Sequence, residues 1–470
     1  MIPAAWCAEG REVAVVGLGR SGTAVASLLS SRGARVYASD AARNAETLEA
    51  AAQLAQLGVT ADVGGHDLER ISRAEAVVAS PGIPPDAPPL RAARDAGVSI
   101  VSEIEVALRE LGPTRYIAVT GTNGKTTTTA LVGHLLRALG HDALDAGNIG
   151  MPLSQVILRG RAPAWVALEL SSFQLHDTPS IAPAVGVVTN LSPDHLDRYA
   201  GVDDYYADKA LLFRNASAES RWVLNADDPA VMRLPERVIR SGSRRAGRAL
   251  VPGMVYTFSL TCEADACYDR ASGRLRALGG PLLERSALGL FGDHNVANAL
   301  AASLAVMAAD EAHQSAEART RLADGLRSFR ALAHRLEVVG ELDGVLWIND
   351  SKATNVSSTR VAIEGMTRPT ILLLGGRHKG EPYAALAEPL SRVGKAVIAY
   401  GESAELVEQD LKGVVPIVRL GSDFARVIDQ ARAMAEHGDV VLLSPACSSY
   451  DMFRNYEERG RVFRQLVQGA

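Results

Sequence analysis

Tyr116-Ile-Ala-Val-Thr-Gly-Thr-Asn-Gly-Lys-Thr-Thr-Thr-Thr129 is the stretch on which the reading of this chain turns. An apolar, β-branched run ends at Gly121. A short polar loop follows, and Gly124-Lys125-Thr126 then opens a segment of helical character that continues to Leu139. That order, strand then loop then helix, is what a phosphate-binding loop requires. Gly121 and Gly124 let the backbone turn tightly enough for the amides of Thr122, Asn123 and their neighbours to face an anion. The helix start at Lys125 and Thr127 adds the positive end of its dipole. Lys125 would set a compact charge on the β/γ-phosphates, and the Thr126 hydroxyl would ligate Mg²⁺. Consecutive threonines are poor helix formers because β-branched side chains lose rotamer freedom there. They are tolerable in a first turn whose free N–H groups serve a ligand. The strict motif would also place glycine at position 119, where this chain has Val119.

Working outward, 470 residues exceed one ordinary core, so several domains are expected. Apolar content of 47% and charged content of 22% suit a globular protein. A net charge of −5 implies no general affinity for nucleic acid or an acidic membrane. No apolar run reaches the ~18 residues that span a bilayer, so no membrane insertion is expected. The N-terminus lacks the basic and apolar regions of a secretory signal. Cys7, Cys262, Cys267 and Cys447 form no zinc-ligand pattern. A reduced, cytoplasmic protein is the natural reading.

Upstream, Val13-Ala-Val-Val-Gly-Leu-Gly-Arg-Ser-Gly reads as a buried strand turning into a helix. Gly17, Gly19 and Gly22 make G-x-G-x-x-G, and a second strand ends at Asp40, near the offset of a ribose-binding acid. Any pyrophosphate satisfies this physics, and NAD is its commonest occupant. Ala74–Ala79 reads as a third strand, running into a turn at Ser80-Pro81-Gly82, and Ile100–Glu103 as another. Strands alternating with helices imply a parallel, doubly wound sheet. Leu111-Gly-Pro-Thr is the expected linker.

Downstream, Asn148 centres a turn. An apolar strand carries Glu169 at its C-terminal end, and another leads to Asp194-His195. In open parallel sheets, ligands bind beyond the carboxyl ends of strands, where Glu169, His195 and the loop all fall. Glu169 alone would equally suit a capping carboxylate; three such groups together favour a shared site with Mg²⁺. Lys209 lies on an expected helix, Tyr205–Asn215. Asn295 and Asn298, three apart, share a helix face. Beyond a polar junction near His334-Arg335, strands again end in polar tips that include Asp350, Thr354, Lys379 and Ser449. The expected architecture is α/β in three domains: a Rossmann-like domain at 1–111, a central P-loop ATPase-like parallel-sheet domain at 112–332, and a C-terminal Rossmann-like domain at 333–470.

Several segments together resemble one family. They are Gly121-Thr-Asn-Gly-Lys-Thr, Gly147-Asn-Ile-Gly, Glu169-Leu-Ser-Ser-Phe-Gln, Asp194-His-Leu-Asp-Arg-Tyr, Asp293-His-Asn-Val-Ala-Asn, His334-Arg, Asp350-Ser-Lys-Ala-Thr-Asn and Ser444-Pro-Ala-Cys-Ser-Ser-Tyr-Asp-Met-Phe. The pattern is similar to that of the Mur ligases of bacterial peptidoglycan synthesis, and it covers all three expected domains. Within that family, Asp350-Ser-Lys-Ala-Thr-Asn and Ser444-Pro-Ala-Cys resemble the members that add D-glutamate to UDP-N-acetylmuramoyl-L-alanine. Tyr450 stands where a smaller aliphatic residue would be expected and Tyr456 where Phe would be. The loop Gly375-Gly-Arg-His-Lys379 has extra basic character.

The resemblance implies an ATP-dependent amide ligase working through an acyl phosphate. Thr126 and Glu169 would ligate one Mg²⁺; His195 and a carbamylated Lys209 would hold a second. Lys125, His195 and Lys209 would be catalytic. Asn295, Asn298, Arg335 and Asp350 would attend the nucleotide. Gly19, Arg20, Ser21, Asp40 and Gly82 would bind UDP, which explains a dinucleotide-like fingerprint without NAD. Asn148 would position the first substrate, and Thr354, Lys379, Ser449 and Tyr450 would bind D-glutamate. A monomer is expected, with closure of the third domain shielding the acyl phosphate from water. Two rivals explain less. A nicotinamide-dependent dehydrogenase leaves Gly124-Lys125-Thr126 unexplained, and a nucleotide switch needs no sugar-nucleotide domain.

Overall fold

The computed structural model describes residues 1–194, 198–239 and 251–469. The chain divides into two compact units, Met1–Arg285 with Ala297–Arg327, and Ser286–Val296 with Ser328–Ala470. Two sheets belong to the first unit and one to the second.

The first sheet contains β1 (Val13–Val16), β2 (Val36–Asp40), β3 (Thr60–Val63), β4 (Ala76–Ala79) and β5 (Ser99–Ser102), all parallel in the order β3-β2-β1-β4-β5. β1 and β4 are buried along their whole length, which is why they read as continuous apolar runs rather than alternating ones. The strand order reverses between β1 and β4, so the crevice for a ligand opens beyond their carboxyl ends. Helix Arg20–Ser31 buries Val25, Leu28 and Leu29. The sequence predicts Ala74–Ala79 as the third strand, but Thr60–Val63 comes first. It is an edge strand whose side chains alternate between exposed and half-buried, so it carries no apolar signature.

The second sheet contains β6 (Arg115–Thr120), β7 (Ala143–Gly147), β8 (Trp165–Glu169), β9 (Val185–Val188), β10 (Arg221–Asn225), β11 (Met254–Ser259), β12 (Ala266–Asp269), β13 (Arg274–Ala277) and β14 (Gly280–Glu284). Their order is β14-β13-β12-β11-β10-β9-β6-β8-β7. The parallel reading holds from β7 to β12 and fails at the far edge, where β12, β13 and β14 pair antiparallel. Along β13, exposed Arg274 and Arg276 alternate with buried Leu275 and Ala277, the pattern of a sheet covered on one face only. Helix Lys125–Ala138 follows β6. Leu111, expected in a linker, instead packs into the core of this sheet with Ile104, Leu153, Val166, Phe213 and Trp222.

Helix Glu103–Glu110 carries a carboxyl group into that region. Glu103 Oε1 accepts the Ser154 amide, while Glu103 Oε2 and Ser154 Oγ have no partner among the described atoms. Burial raises the Glu103 pKa from 4.5 to about 7. The folded state therefore binds a proton that the unfolded chain releases. Glu103 contributes stability that is present at acid pH and lost as pH rises through about 7. Glu103→Gln keeps the shape, stays neutral and can donate to Ser154 Oγ. Its melting temperature should exceed that of the wild type at about pH 8 and differ little at about pH 5. An equal shift at both pH values would place the titration elsewhere.

The third sheet contains β15 (Glu337–Leu342), β16 (Val345–Asn349), β17 (Thr370–Gly375), β18 (Gly394–Tyr400), β19 (Ile417–Arg419) and β20 (Val440–Leu443), ordered β15-β16-β20-β17-β18-β19. β15 pairs antiparallel with β16, and the rest run parallel. Leu372 and Leu374 face one core, Ile371 and Leu373 the other, as the two-residue strand period demands.

Candidate active site

β6 lies between β8 and β9, so three strand ends converge: Val119 pairs with Glu169, and Thr120 with Val188. The chain leaves β6 through Gly121 at φ +142°, where a Cβ would lie 2.0 Å from Thr189 Oγ1. Gly124 caps helix Lys125–Ala138 at φ +78°, and its Cβ would lie 2.4 Å from Asn298 Oδ1. Both glycines are therefore required by conformation and by space. Val119, at the position of the missing motif glycine, is a buried β6 residue.

The loop is held from the end of β9. The Thr122 amide donates to the Asn190 carbonyl at 2.8 Å, and the Asn123 amide to Asn190 Oδ1 at 2.8 Å. Thr189 Oγ1 and Asn190 Nδ2 donate to the Asn123 carbonyl at 2.6 and 3.0 Å. Sequence reading missed Thr189 and Asn190 as loop-holding residues. They ended an apolar strand, and only the adjacency of β9 to β6 gives them this role.

Two amines meet at the loop. Lys125 Nζ donates to the carbonyls of Gly121 and Thr122 at 3.0 and 2.7 Å, and Lys209 Nζ donates to Gly121 at 2.8 Å. Lys209, on helix Val202–Ala210, is 1% exposed. Burial, reinforced by the Lys125 charge, pushes its pKa well below the usual lysine range. Glu169 is also 1% exposed. Its Oε1 accepts from Asn148 Nδ2 at 2.9 Å, while its Oε2 has no partner among the described atoms. Thr126 and Thr127 are buried in the first helical turn, and Thr128 Oγ1 donates to Asn298 Oδ1 at 3.2 Å. His195 lies outside the described residues. No cluster of three or more His, Cys, Asp or Glu side chains suited to a metal occurs among the described residues. The amides of Thr122 and Asn123, expected to face an anion, are instead taken up by Asn190, because β9 lies beside β6. The site thus offers the start of helix Lys125–Ala138 and the Lys125 side chain to an anion, and oxygen atoms of Thr126 and Glu169 to a hard cation.

The N-terminal candidates gather at the carboxyl ends of β1, β2 and β4. Gly19 caps helix Arg20–Ser31, with Ser21 in its first turn. The Asp40 carboxylate accepts the amides of Leu18 and Ala42 at 2.7 and 2.8 Å, so it also fixes the shape of the glycine-rich turn. Arg20 donates to the Gly150 carbonyl. Arg198 donates to the Gly82 carbonyl at 3.1 Å, and a cavity of about 190 Å³ beside it is lined by Pro81, Ile83, Phe173 and Tyr199.

The second unit holds the others. Asn295 Nδ2 donates to the Phe291 carbonyl at 2.8 Å. Asp350 is buried and accepts from Ser444 Oγ at 2.8 Å and from the Leu336 amide at 3.2 Å. Burial raises its pKa to about 7, against the lowering effect of Arg335. Lys379 Nζ lies 3.4 Å from Thr354 Oγ1. Ser449 is buried, whereas Tyr450 is 65% exposed.

These features define the class: an α/β protein of three sheets built around a strand–loop–helix of phosphate-loop geometry. Its segments match, in order, the MurD-like N-terminal domain of Mur ligases at residues 11–102, the Mur ligase middle domain at 119–306 and the Mur ligase glutamate ligase domain at 334–447. UDP-N-acetylmuramoylalanine--D-glutamate ligase of Acidobacterium capsulatum is 41% identical over 98% of this chain and 96% of its own length. UDP-N-acetylmuramate-alanine ligase MurC of Thermotoga maritima shares the fold with a TM-score of 0.60 at 20% identity, covering 97% of this chain and 99% of that one. MurF ligase of Thermotoga maritima, solved in complex with ADP, has a TM-score of 0.59 at 18% identity over 93% of this chain and 96% of its own. The chain belongs to the Mur ligase family.

Proposed function

We propose that this chain is an ATP-dependent ligase that joins D-glutamate to UDP-N-acetylmuramoyl-L-alanine in peptidoglycan synthesis. The observation that carries this reading is the 41% identity, across nearly the whole chain, to a ligase of that name. The phosphate loop fits it. A carboxylate is a poor electrophile, so the alanyl carboxylate takes the γ-phosphoryl group of ATP and ADP leaves. The amine of D-glutamate then attacks the acyl phosphate, loses a proton, and phosphate departs as the amide forms. Lys125 and the start of helix Lys125–Ala138 hold the transferring group. His195 and Lys209 complete the catalytic set.

The residues present fit Mg²⁺. Glu169 Oε2 is a buried carboxylate oxygen with no partner among the described atoms, and Thr126 adds a hydroxyl at the start of the helix that follows the loop. Two protein oxygens supplemented by phosphates and water suit this ion. Thr126 and Glu169 would hold one ion, and His195 with carbamylated Lys209 a second. Bound there, Mg²⁺ neutralises phosphate charge.

Gly19, Arg20, Ser21, Asp40 and Gly82 bind the UDP moiety in this reading, and Asn148 orients the sugar-linked alanine. Asn295, Asn298, Arg335 and Asp350 serve the nucleotide. Thr354, Lys379, Ser449 and Tyr450 receive D-glutamate. The domains run 1–111, 112–332 and 333–470, supported by one sheet in each. No helix among the described residues is long and apolar enough to cross a membrane. We place the enzyme in the cytoplasm as a monomer.

ADP release by the purified chain should require both substrates. Release with neither, or a response to NADH, would overturn the reading. Lys379→Ala should raise the KM for D-glutamate on the order of 10- to 100-fold, the worth of one charge-assisted hydrogen bond, and leave that for ATP nearly unchanged. Equal activity with L-glutamate or L-lysine would move the chain elsewhere in the family.

A further inference from the structure

Besides Lys379, the loop Gly375-Gly-Arg-His-Lys379 carries Arg377 and His378, to which the proposed reaction gives no role. Arg377 is exposed and engages Glu402 through two contacts of 3.0 Å. His378 is different. Its Nδ1 lies 3.0 Å from Tyr383 Oη, and the two rings are 5.1 Å apart. The same hydroxyl lies 2.8 Å from Cys447 Sγ, and that sulfur lies 3.4 Å from Ser403 Oγ. Tyr383 and Cys447 are completely buried. Burial raises the pKa of both groups, so phenol and thiol each keep their proton and the chain of hydrogen bonds is not broken by ionisation.

The chain His378–Tyr383–Cys447 ties together two loops at the carboxyl ends of neighbouring strands. β17 leads into the loop of His378, and β20 into the loop of Cys447. The loops are also joined on their other side. Arg377 and Ser448 exchange backbone hydrogen bonds of 2.9 and 3.1 Å, and Ser448 Oγ reaches the Arg377 carbonyl at 3.2 Å. Lys379 follows His378 directly, and Ser449 stands two residues after Cys447. The contact from Lys379 to Thr354 is long, at 3.4 Å, so the loop backbone does more than Thr354 to aim the ammonium.

We infer that Tyr383 is a positioning residue for the amino-acid acceptor: its hydroxyl ties the His378 loop to the Cys447 loop, and so holds in place the two segments that carry Lys379 and Ser449. This rests on the acceptor role proposed above for Lys379 and Ser449. A phenol is suited to the task because one oxygen can donate to one neighbour and accept from the other. Phe fills the same volume but leaves His378 and Cys447 without that bridge. The core would stay packed while the loops loosen, and a site held loosely binds its ligand poorly.

The test uses the full-length chain and ADP release with each substrate varied in turn. Tyr383→Phe should raise the KM for D-glutamate about five- to tenfold, the loss of roughly one buried hydrogen bond. The KM values for ATP and for UDP-N-acetylmuramoyl-L-alanine should move less than about twofold, with melting unchanged within a few degrees. His378→Phe should reproduce the effect, the double variant should be no worse than either single one, and His378→Gln should recover most of the affinity. The ring-nitrogen NMR signals of His378 should shift in Tyr383→Phe without any substrate. An unchanged KM for D-glutamate, or a uniform rise in all three KM values with a lowered melting temperature, overturns the positioning role. A wild-type enzyme indifferent to D-glutamate would instead overturn the acceptor reading itself.

Discussion

Lys125→Ala is expected to lower kcat by roughly 10³-fold or more, about 4 kcal/mol of lost transition-state stabilisation. In the structure its ammonium spans the carbonyls of Gly121 and Thr122 at 3.0 and 2.7 Å. Those carbonyls hold the side chain over the loop, beside the start of helix Lys125–Ala138. A phosphoryl group gains most from that charge as bonds to it stretch, so the loss falls on kcat more than on binding. The fold should survive, because the loop is fastened by Thr189 and Asn190. Lys125→Arg should rescue little, since a planar guanidinium cannot replace a compact ammonium. Melting curves and single-turnover ADP formation check both halves. Turnover within tenfold of wild type would remove the loop from the phosphate site.

Lys209 should show activity and stability moving in opposite directions. Its amine is buried against the Gly121 carbonyl, 4.7 Å from the centre of the Tyr205 ring, and its pKa lies well below 10.5. Between the folded and the unfolded pKa, the unfolded chain binds a proton that the folded one does not. Stability therefore rises with pH across that window, and near neutrality the buried amine is a cost. Lys209→Met, apolar and similar in length, should melt at a higher temperature than wild type in carbon-dioxide-free buffer near neutral pH, yet lose kcat on the order of 10³-fold. A neutral amine is also the form that adds carbon dioxide. The carbamate would turn a cation into a pair of hard oxygens, the donors that Mg²⁺ prefers. Lys209→Ala should then regain part of its activity with acetate, and intact mass should show one carbon dioxide on the native chain. An unmodified lysine, with an alanine variant of ordinary activity, would reduce Lys209 to a packed core residue.

Much of this architecture was legible because the signals are local. A glycine that must take positive φ, as at Gly121 and Gly124, marks its own turn. A strand buried on both faces, such as Val13–Val16, announces itself by unbroken apolar residues. Edge elements were not legible. Thr60–Val63 is half in water, and the antiparallel strands after Ala266 alternate too briefly to stand out.

The sequence by itself determined the phosphate loop, the glycine-rich turn before it, the alternation of strand and helix, and the residue types at strand ends. Those follow from backbone conformation and hydrophobic period, which act over a few residues. Only the tertiary structure decided which strand ends meet. The order β9-β6-β8 brings Asn190, Gly121 and Glu169 together from positions far apart in the chain. It buries Lys209 against a loop carbonyl and leaves one oxygen of Glu169 unpartnered among the described atoms. In the third sheet, the adjacency of β17 and β20 places Tyr383 between His378 and Cys447. Burial and charge proximity depend on what packs against a side chain, and no local pattern encodes that neighbour.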